Sequence, residues 1–193
     1  TFSLSLLVAE LFMMTQFFCS LLLMWQPITR DDRKMSDMMP PRDMPSVDLY
    51  IVTYSEPEYI VEEAIYAALN QNYPNITVHV MDDGSRPEMK SLVDSIRSEL
   101  FDSGRTEHLV YTGRPKVKGV NHHAKAGNIN HTLTKVAAST AEFVLVLDCD
   151  MIALENMLDT MMGHFYESNG SGGWKIKEKA AMVQIPQRFH NLG

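Results

Sequence analysis

The sequence predicts an α/β domain with a mainly parallel sheet, preceded by one transmembrane helix. Three observations carry that expectation. A nearly unbroken apolar run fills residues 2–25. Beyond it, short apolar runs rich in β-branched and aromatic residues alternate four times with segments of helical periodicity, the pattern of right-handed parallel crossovers. The polar clusters TYSE, DDG and DCD each follow one of those runs directly. That is where open parallel sheets collect their ligands. The expected division is a membrane helix over 1–25, a cytosolic linker over 26–46 and the α/β domain over 47–193.

The first run, FSLSLLVAELFMMTQFFCSLLLMW, holds a single charge, Glu10. About 20 residues of helix cross a bilayer core of about 30 Å. The run is too long for a signal-peptide core and has no small-residue cleavage site at its end. Trp25 stands where an interfacial aromatic belongs, and Pro27 stops the helix. The competing reading is a buried soluble helix. Glu10 reads as a protonated, hydrogen-bonded acid near the membrane boundary, with a partner on a second membrane helix as the alternative. Arg30, Arg33 and Lys34 follow closely and place this side in the cytosol. The segment QPITRDDRKMSDMMPPRDMP has no periodicity and reads as linker, with Met38 and Met39 as filler.

VDLYIVTY opens the domain as a strand. EYIVEEAIYAALN follows, with Ile60, Val61, Ala64, Ile65, Ala68 and Leu69 at helical spacing before Pro74. ITVHVMDD is the second strand, residues 87–101 an amphipathic helix, and HLVYTGR the third strand. A helix over 125–139 leads to EFVLVLDCD, apolar enough to predict a central strand. A helix over 156–167 and a fifth strand, AAMVQIPQ, complete the pattern. Thr1 and Gly193 together suggest a piece of a longer protein.

Composition narrows the function. Seventeen basic against 24 acidic residues give a net charge of −7. That argues against a nucleic-acid partner, which needs clustered Lys and Arg. It leaves room for a nucleotide, whose phosphates need one cation and one or two basic side chains. Cys19 and Cys149 form neither a disulfide framework nor a CxxC metal signature, consistent with a reducing compartment.

Asp148 and Asp150 carry the strongest chemical signal. In an extended chain residues i and i+2 face the same way. Two carboxylates just past a buried strand can share Mg²⁺ or Mn²⁺, hard ions that keep positions open for phosphate oxygens. The alternative is a pair of solvated turn aspartates. Asp83, in MDDGS, can accept a hydrogen bond from the imide N–H of a uracil; alternatively both aspartates shape the turn, with Gly84 supplying a positive φ. Lys125, in HHAKAGNIN, stands at a helix start that already favours an anion, and reads as facing a diphosphate. Gly127 would admit a ligand close to the backbone. A solvated cap lysine is the plainer reading. His122 and His123, being adjacent, read as loop or substrate contacts rather than metal ligands.

In order, VDLYIVTYSEP, VHVMDDGSRPE, HHAKAGNINHTL, FVLVLDCDMI and MVQIPQRFHN resemble the processive family 2 glycosyltransferases, and most closely the cellulose synthases. The apolar helix ending in W-x-P-x-x-R is similar too. The resemblance spans nearly the whole chain. It implies a GT-A fold, a cytosolic domain on a plasma-membrane protein and inverting transfer of glucose from UDP-glucose to a growing β-glucan. A lipid bilayer and subunits of a synthase complex would be further partners. It also implies that Thr53, Tyr54, Glu56 and Asp83 line a uridine pocket. Lys125 would lie near the diphosphate, and Asp148 and Asp150 would hold the metal with the nucleotide sugar. Residues 184–190 match the strand and loop that follow in the family. The neighbouring expectations are chitin, hyaluronan or mixed-linkage glucan synthesis, or an inactive nucleotide-sugar-binding membrane subunit.

The chain departs from the family pattern in places. Ser55 stands where most relatives carry Asn, and SGGWKIKEK is an extra polar stretch that reads as a surface loop. The family's catalytic base belongs to a downstream Thr-Glu-Asp motif and its acceptor tryptophan to a Gln-x-x-Arg-Trp motif. Neither occurs here, since Phe189 follows Arg188. The fragment alone is therefore expected to be inactive.

Overall fold

The computed structural model describes residues 2–25, 30–104, 108–136 and 141–187. The chain divides into two units, 1–32 and 33–193. The first is a single helix, α1 (Phe2–Met24). Its stretch Ser3–Met24 has a mean hydropathy of 1.9, long and apolar enough to cross a membrane. It has no polar face, and two of its hydroxyls are satisfied within the helix. Thr15 Oγ1 and Ser20 Oγ donate to the carbonyls of Leu11 and Gln16, at 2.7 and 2.9 Å.

The second unit is built on four parallel strands in the order β3-β2-β1-β4. These are β1 (Val47–Thr53), β2 (Ile76–Asp82), β3 (His108–Gly113) and β4 (Phe143–Asp148). The connecting helices are α2 (Glu58–Leu69), α3 (Pro87–Asp102) and α4 (Ala124–His131), the last continuing as a π-helical turn, Thr132–Val136. Period-two alternation gives the sheet two distinct faces. On one, Leu49 lies between Val78 and Leu145, and Ile51 between Val80 and Leu147. With Val61, Ile65 and Ala68 of α2 and Met89, Val93 and Ile96 of α3, they form the core. On the other face Tyr50 and His79 are cross-strand partners with rings 5.2 Å apart, edge to face. Asp48 lies 3.3 Å from His79 Nε2. Burial lowers the His79 pKa, and Asp48 only partly offsets it. Asn128 of α4 donates to the Met81 carbonyl at 2.9 Å and ties that helix to this face.

Several expectations change. The apolar composition of β4 predicts a central strand, yet among the described residues β4 ends the sheet, and Val144 and Val146 are 42% and 40% exposed. The expected helix over 156–167 is shorter, α5 (Met157–Gly163), and runs into a hairpin of β5 (Tyr166–Ser168) and β6 (Trp174–Ile176). The stretch that reads as a surface loop therefore supplies a strand. Asn169 Oδ1 closes the turn by accepting from the backbone N–H of Ser171 and Gly173, each at 2.9 Å. Gly170 and Gly172 supply the left-handed conformations there, φ 80° and 86°. Residues 180–187 join no sheet. Pro27, the end of the expected fourth-strand-leading helix at 137–139 and the end of the 184–190 match lie outside the described residues.

The expected linker belongs in part to the domain. Met35 and Met44 are buried in the core, and Met38 and Met39 pack against it. Ser36 binds buried Asp159 of α5 twice, through its N–H and its hydroxyl, both at 2.7 Å. The Arg33 carbonyl passes so close to Gly163 that no Cβ fits there. Removing a charged hydrogen-bond acceptor from such a site costs roughly 2 kcal/mol. Asp159→Ala is therefore expected to lower the unfolding free energy measured in urea by that amount and to speed tryptic cleavage at Arg33, Lys34 and Arg42. Wild-type cleavage rates in the variant would show the segment is not held by Asp159.

Candidate functional site: the carboxyl edge of the sheet

Parallel register brings the strand ends together. Thr53 pairs with Asp82, Asp82 with Gly113, and Val52 with Asp148. The turn after β1 is built around Glu56. Its Oε2 accepts from the N–H groups of Tyr54 and Ser55 at 2.7 and 3.1 Å and from Thr53 Oγ1 at 2.8 Å. Burial alone would raise the Glu56 pKa. The donors from Tyr54, Ser55 and Thr53, with its own N–H, outweigh it and hold the carboxyl at about 2. Thr53 is buried, and its hydroxyl also accepts from Arg86 at 2.9 Å. Of the four residues expected to line a pocket, Thr53 and Glu56 are thus engaged in shaping the turn. Tyr54 is exposed at its tip, and Asp83 is nearly covered.

The two aspartates after β2 part company. Asp82, fully buried, accepts from the N–H of Gly84 and of Arg86, from Arg86 Nε and from the Tyr111 hydroxyl, at 3.0, 2.5, 3.2 and 3.1 Å. It shapes the turn. Gly84 does not carry the positive φ expected of it; Ser85 does, at 51°. Gly84 is needed because a Cβ would stand 2.8 Å from the Tyr54 carbonyl. Asp83 faces the other way, towards the segment after β3. Arg114 Nε donates to Asp83 Oδ1 at 2.5 Å, and Lys116 Nζ lies 2.9 Å from Oδ2. Lys116 also sits over the Tyr54 ring, 4.5 Å from its centroid.

Arg114 does more than neutralise Asp83. It is 4% exposed, and its terminal nitrogens donate to the carbonyls of His122 and Ala124 at 2.6 and 3.2 Å. It thereby holds the loop that leads into α4. That loop carries two consecutive left-handed residues, His123 (φ 56°) and Ala124 (φ 41°), an unfavourable geometry that needs such pinning. His122 Nε2 lies 2.8 Å from the Val117 N–H, so this ring closes the loop, as the sequence suggests. The missing side chain of Gly127 makes room for the His122 carbonyl and the Arg114 guanidinium rather than for a ligand.

Lys125, at the start of α4, is ion-paired with Asp148. Asp148 ends β4, and its carbonyl accepts from the Met151 N–H at 3.0 Å, so the chain turns immediately. The extended geometry that would align Asp148 and Asp150 therefore stops at Asp148. Asp150 sits in the turn, exposed, and Asp148 is half-exposed. Cys149 between them is buried; desolvation and the nearby Glu56 push its thiol to about 11, leaving it unreactive. Among the described residues no further His, Cys, Asp or Glu makes the acid pair a three-ligand cluster. Arg86, Arg114 and Lys116 have no place in the sequence reading. The signal available was positional: Arg114 directly follows β3, the one strand of the sheet whose carboxyl end receives no role in that reading.

The Glycosyl transferase family 2 pattern matches residues 48–173. The chain belongs to that family. Its fold is GT-A, a parallel central sheet with flanking helices. The chain is 32% identical over 189 residues, 96% of its length, to the UDP-forming cellulose synthase catalytic subunit of Komagataeibacter sucrofermentans. It is 33% identical over 147 residues, 75% of its length, to the corresponding subunit of Xanthomonas axonopodis pv. citri. It spans 21% and 16% of those two relatives. A mannosyltransferase from Pyrobaculum calidifontis, solved with GDP-Man and Mn²⁺, overlays with a TM-score of 0.42 at 26% identity, over 59% of this chain and 30% of that one. In this chain the region matched by the family runs from the start of β1 through the hairpin loop, and so includes all three strand-end clusters.

The low Glu56 pKa has a definite sign. A carboxyl held below its ordinary value of 4.5 contributes stability that is complete above about pH 4.5 and lost as the pH falls towards 2. Urea unfolding of the protein should therefore show a drop in stability between pH 5 and pH 2.5 that Glu56→Gln, already weakened at neutral pH, shows to a smaller extent. Parallel pH profiles for the two proteins would remove Glu56 from that role.

Proposed function

We propose that this chain supplies the donor half of a membrane-bound, inverting glycosyltransferase that moves glucose from UDP-glucose onto a growing β-glucan such as cellulose. The observation that carries the reading is the convergence, on one sheet edge, of an aromatic–acid pair (Tyr54 and Asp83) with a lysine–acid group (Lys125, Asp148 and Asp150). The similarity to UDP-forming cellulose synthase subunits supports the choice of donor and polymer. α1 supports a bilayer as partner, with Arg30, Arg33 and Lys34 marking the cytosolic side and the plasma membrane as the site of synthesis. Subunits of a synthase complex are the further partners this reading expects.

Uracil would stack on Tyr54 and donate its imide N–H to Asp83. The acid pair fits Mg²⁺ or Mn²⁺: both side chains are solvent-accessible, both offer oxygen, and two carboxylates suffice when phosphate oxygens complete the shell. A divalent ion there would neutralise charge on the diphosphate as the sugar–phosphate bond breaks. Lys125, paired with Asp148, would turn its charge to the diphosphate when the nucleotide sugar is bound. An acceptor hydroxyl would lose its proton to a carboxylate base of the downstream Thr-Glu-Asp motif and attack the anomeric carbon. The bond to the diphosphate oxygen breaks on the opposite side, UDP leaves, and the configuration inverts.

In the full-length protein, Asp150→Ala is expected to reduce polymer synthesis by at least about 100-fold, the scale on which charge stabilisation of a leaving group acts. The assay is incorporation from radiolabelled UDP-glucose, with UDP-N-acetylglucosamine as the competing donor. Near-normal output from the variant would sink the metal assignment, and preferential incorporation of N-acetylglucosamine would replace glucose in the reading.

A further inference from the structure

Lys116 occupies both places that a uracil ring would need. Its ammonium lies 2.9 Å from Asp83 Oδ2, the carboxylate oxygen that Arg114 leaves open, and 4.5 Å above the centre of the Tyr54 ring. A base cannot stack on that ring and donate to that oxygen while the ammonium is there. The two cations on Asp83 differ in kind. Arg114 is buried and fixed by two backbone carbonyls besides, whereas the Lys116 side chain is 39% exposed. Residues 115–121 are exposed throughout, and Gly119 gives the segment a left-handed turn at φ 85°. Arg114 is therefore the permanent partner of Asp83 and Lys116 the displaceable one.

We infer that Lys116 is an internal competitor for the nucleobase subsite, a latch of the chain's own that a uracil must displace to reach Tyr54 and Asp83. The inference rests on the donor-pocket reading above and adds a specificity-determining residue to it. Its physical consequences follow from population arithmetic. The apparent affinity for the base is the intrinsic affinity reduced by the fraction of molecules with Lys116 swung away. An ion pair open to water on its lysine side and an exposed cation–π contact together hold the side chain by an amount that corresponds to about a three- to tenfold penalty. Both contacts weaken as salt is raised. Adenine gains less from displacing Lys116, because it presents no imide N–H to Asp83, so the latch also sharpens discrimination between uracil and adenine.

The test uses uridine, which has no phosphates to respond to the change of charge, in equilibrium dialysis against the detergent-solubilised full-length protein. Lys116→Met keeps the aliphatic stem over Tyr54 and removes the ammonium; at an exposed position it leaves folding intact. Its dissociation constant for uridine is expected to fall about three- to tenfold. Wild-type affinity should rise between 50 and 500 mM NaCl, and that slope should flatten in Lys116→Met. Tyr54→Ala is the control for the pocket itself and should weaken uridine binding about tenfold or more. Unchanged or weaker binding by Lys116→Met, with Tyr54→Ala still impaired, would overturn the latch and leave the pocket standing. If the wild-type protein binds no uridine, or Tyr54→Ala binds it as well as wild type does, the pocket reading fails and the latch fails with it.

Discussion

Parallel strands in register end together, and here they end on acids. Asp82, Asp83, Asp148 and Asp150, with Glu56 from the turn after β1, share one edge of a four-stranded sheet. So much negative charge at one place opposes folding unless each carboxylate finds donors. Glu56 is held by backbone N–H groups and a hydroxyl, Asp82 by Arg86 and a tyrosine hydroxyl, Asp83 by Arg114 and Lys116, and Asp148 by Lys125. The remaining features of the edge answer that constraint. The guanidinium that neutralises Asp83 also pins the loop before α4, and that loop presents the lysine that neutralises Asp148.

The acids divide according to how deeply they are paired. Asp82 and Glu56 are closed off by several partners and act as architecture. Asp83 keeps one oxygen on a half-exposed lysine, and Asp148 and Asp150 stay open to water. That gradient, from sealed to exposed, separates residues of the same type that look equivalent in sequence. It separates the two aspartates of MDDGS, Asp82 sealed within its turn and Asp83 paired with one buried and one half-exposed cation.

Much of the architecture was legible in the sequence because its elements have strong periods. β1, β2, β3, α2 and α3 fall where the apolar spacing places them, and the three acid clusters share an edge because parallel topology leaves them no other arrangement. Elsewhere local pattern and tertiary packing diverge. Met35 and Met44 are buried although their segment has no period, because short 3₁₀ turns and unbranched side chains fill a core gap without repeating. Tyr166 continues the apolar stripe of α5 yet pairs in a hairpin, since the Asn-Gly-Ser-Gly-Gly turn supplies geometry that a helix would waste. The roles of Arg114 and Lys116 depend on where an irregular loop returns, and no spacing rule encodes that.

The two left-handed residues at the start of α4 carry a consequence for redesign. A Cβ in that region costs roughly 1 kcal/mol, and glycine at either His123 or Ala124 would remove it. Glycine would also loosen the unfolded chain by about the same amount. Thermal stability would be nearly indifferent to the exchange. The bearing of Lys125 would not be, because a backbone free to visit both halves of conformational space no longer aims the helix that follows it. A stability screen would pass over these two positions; a measurement of the Lys125–Asp148 pairing would not.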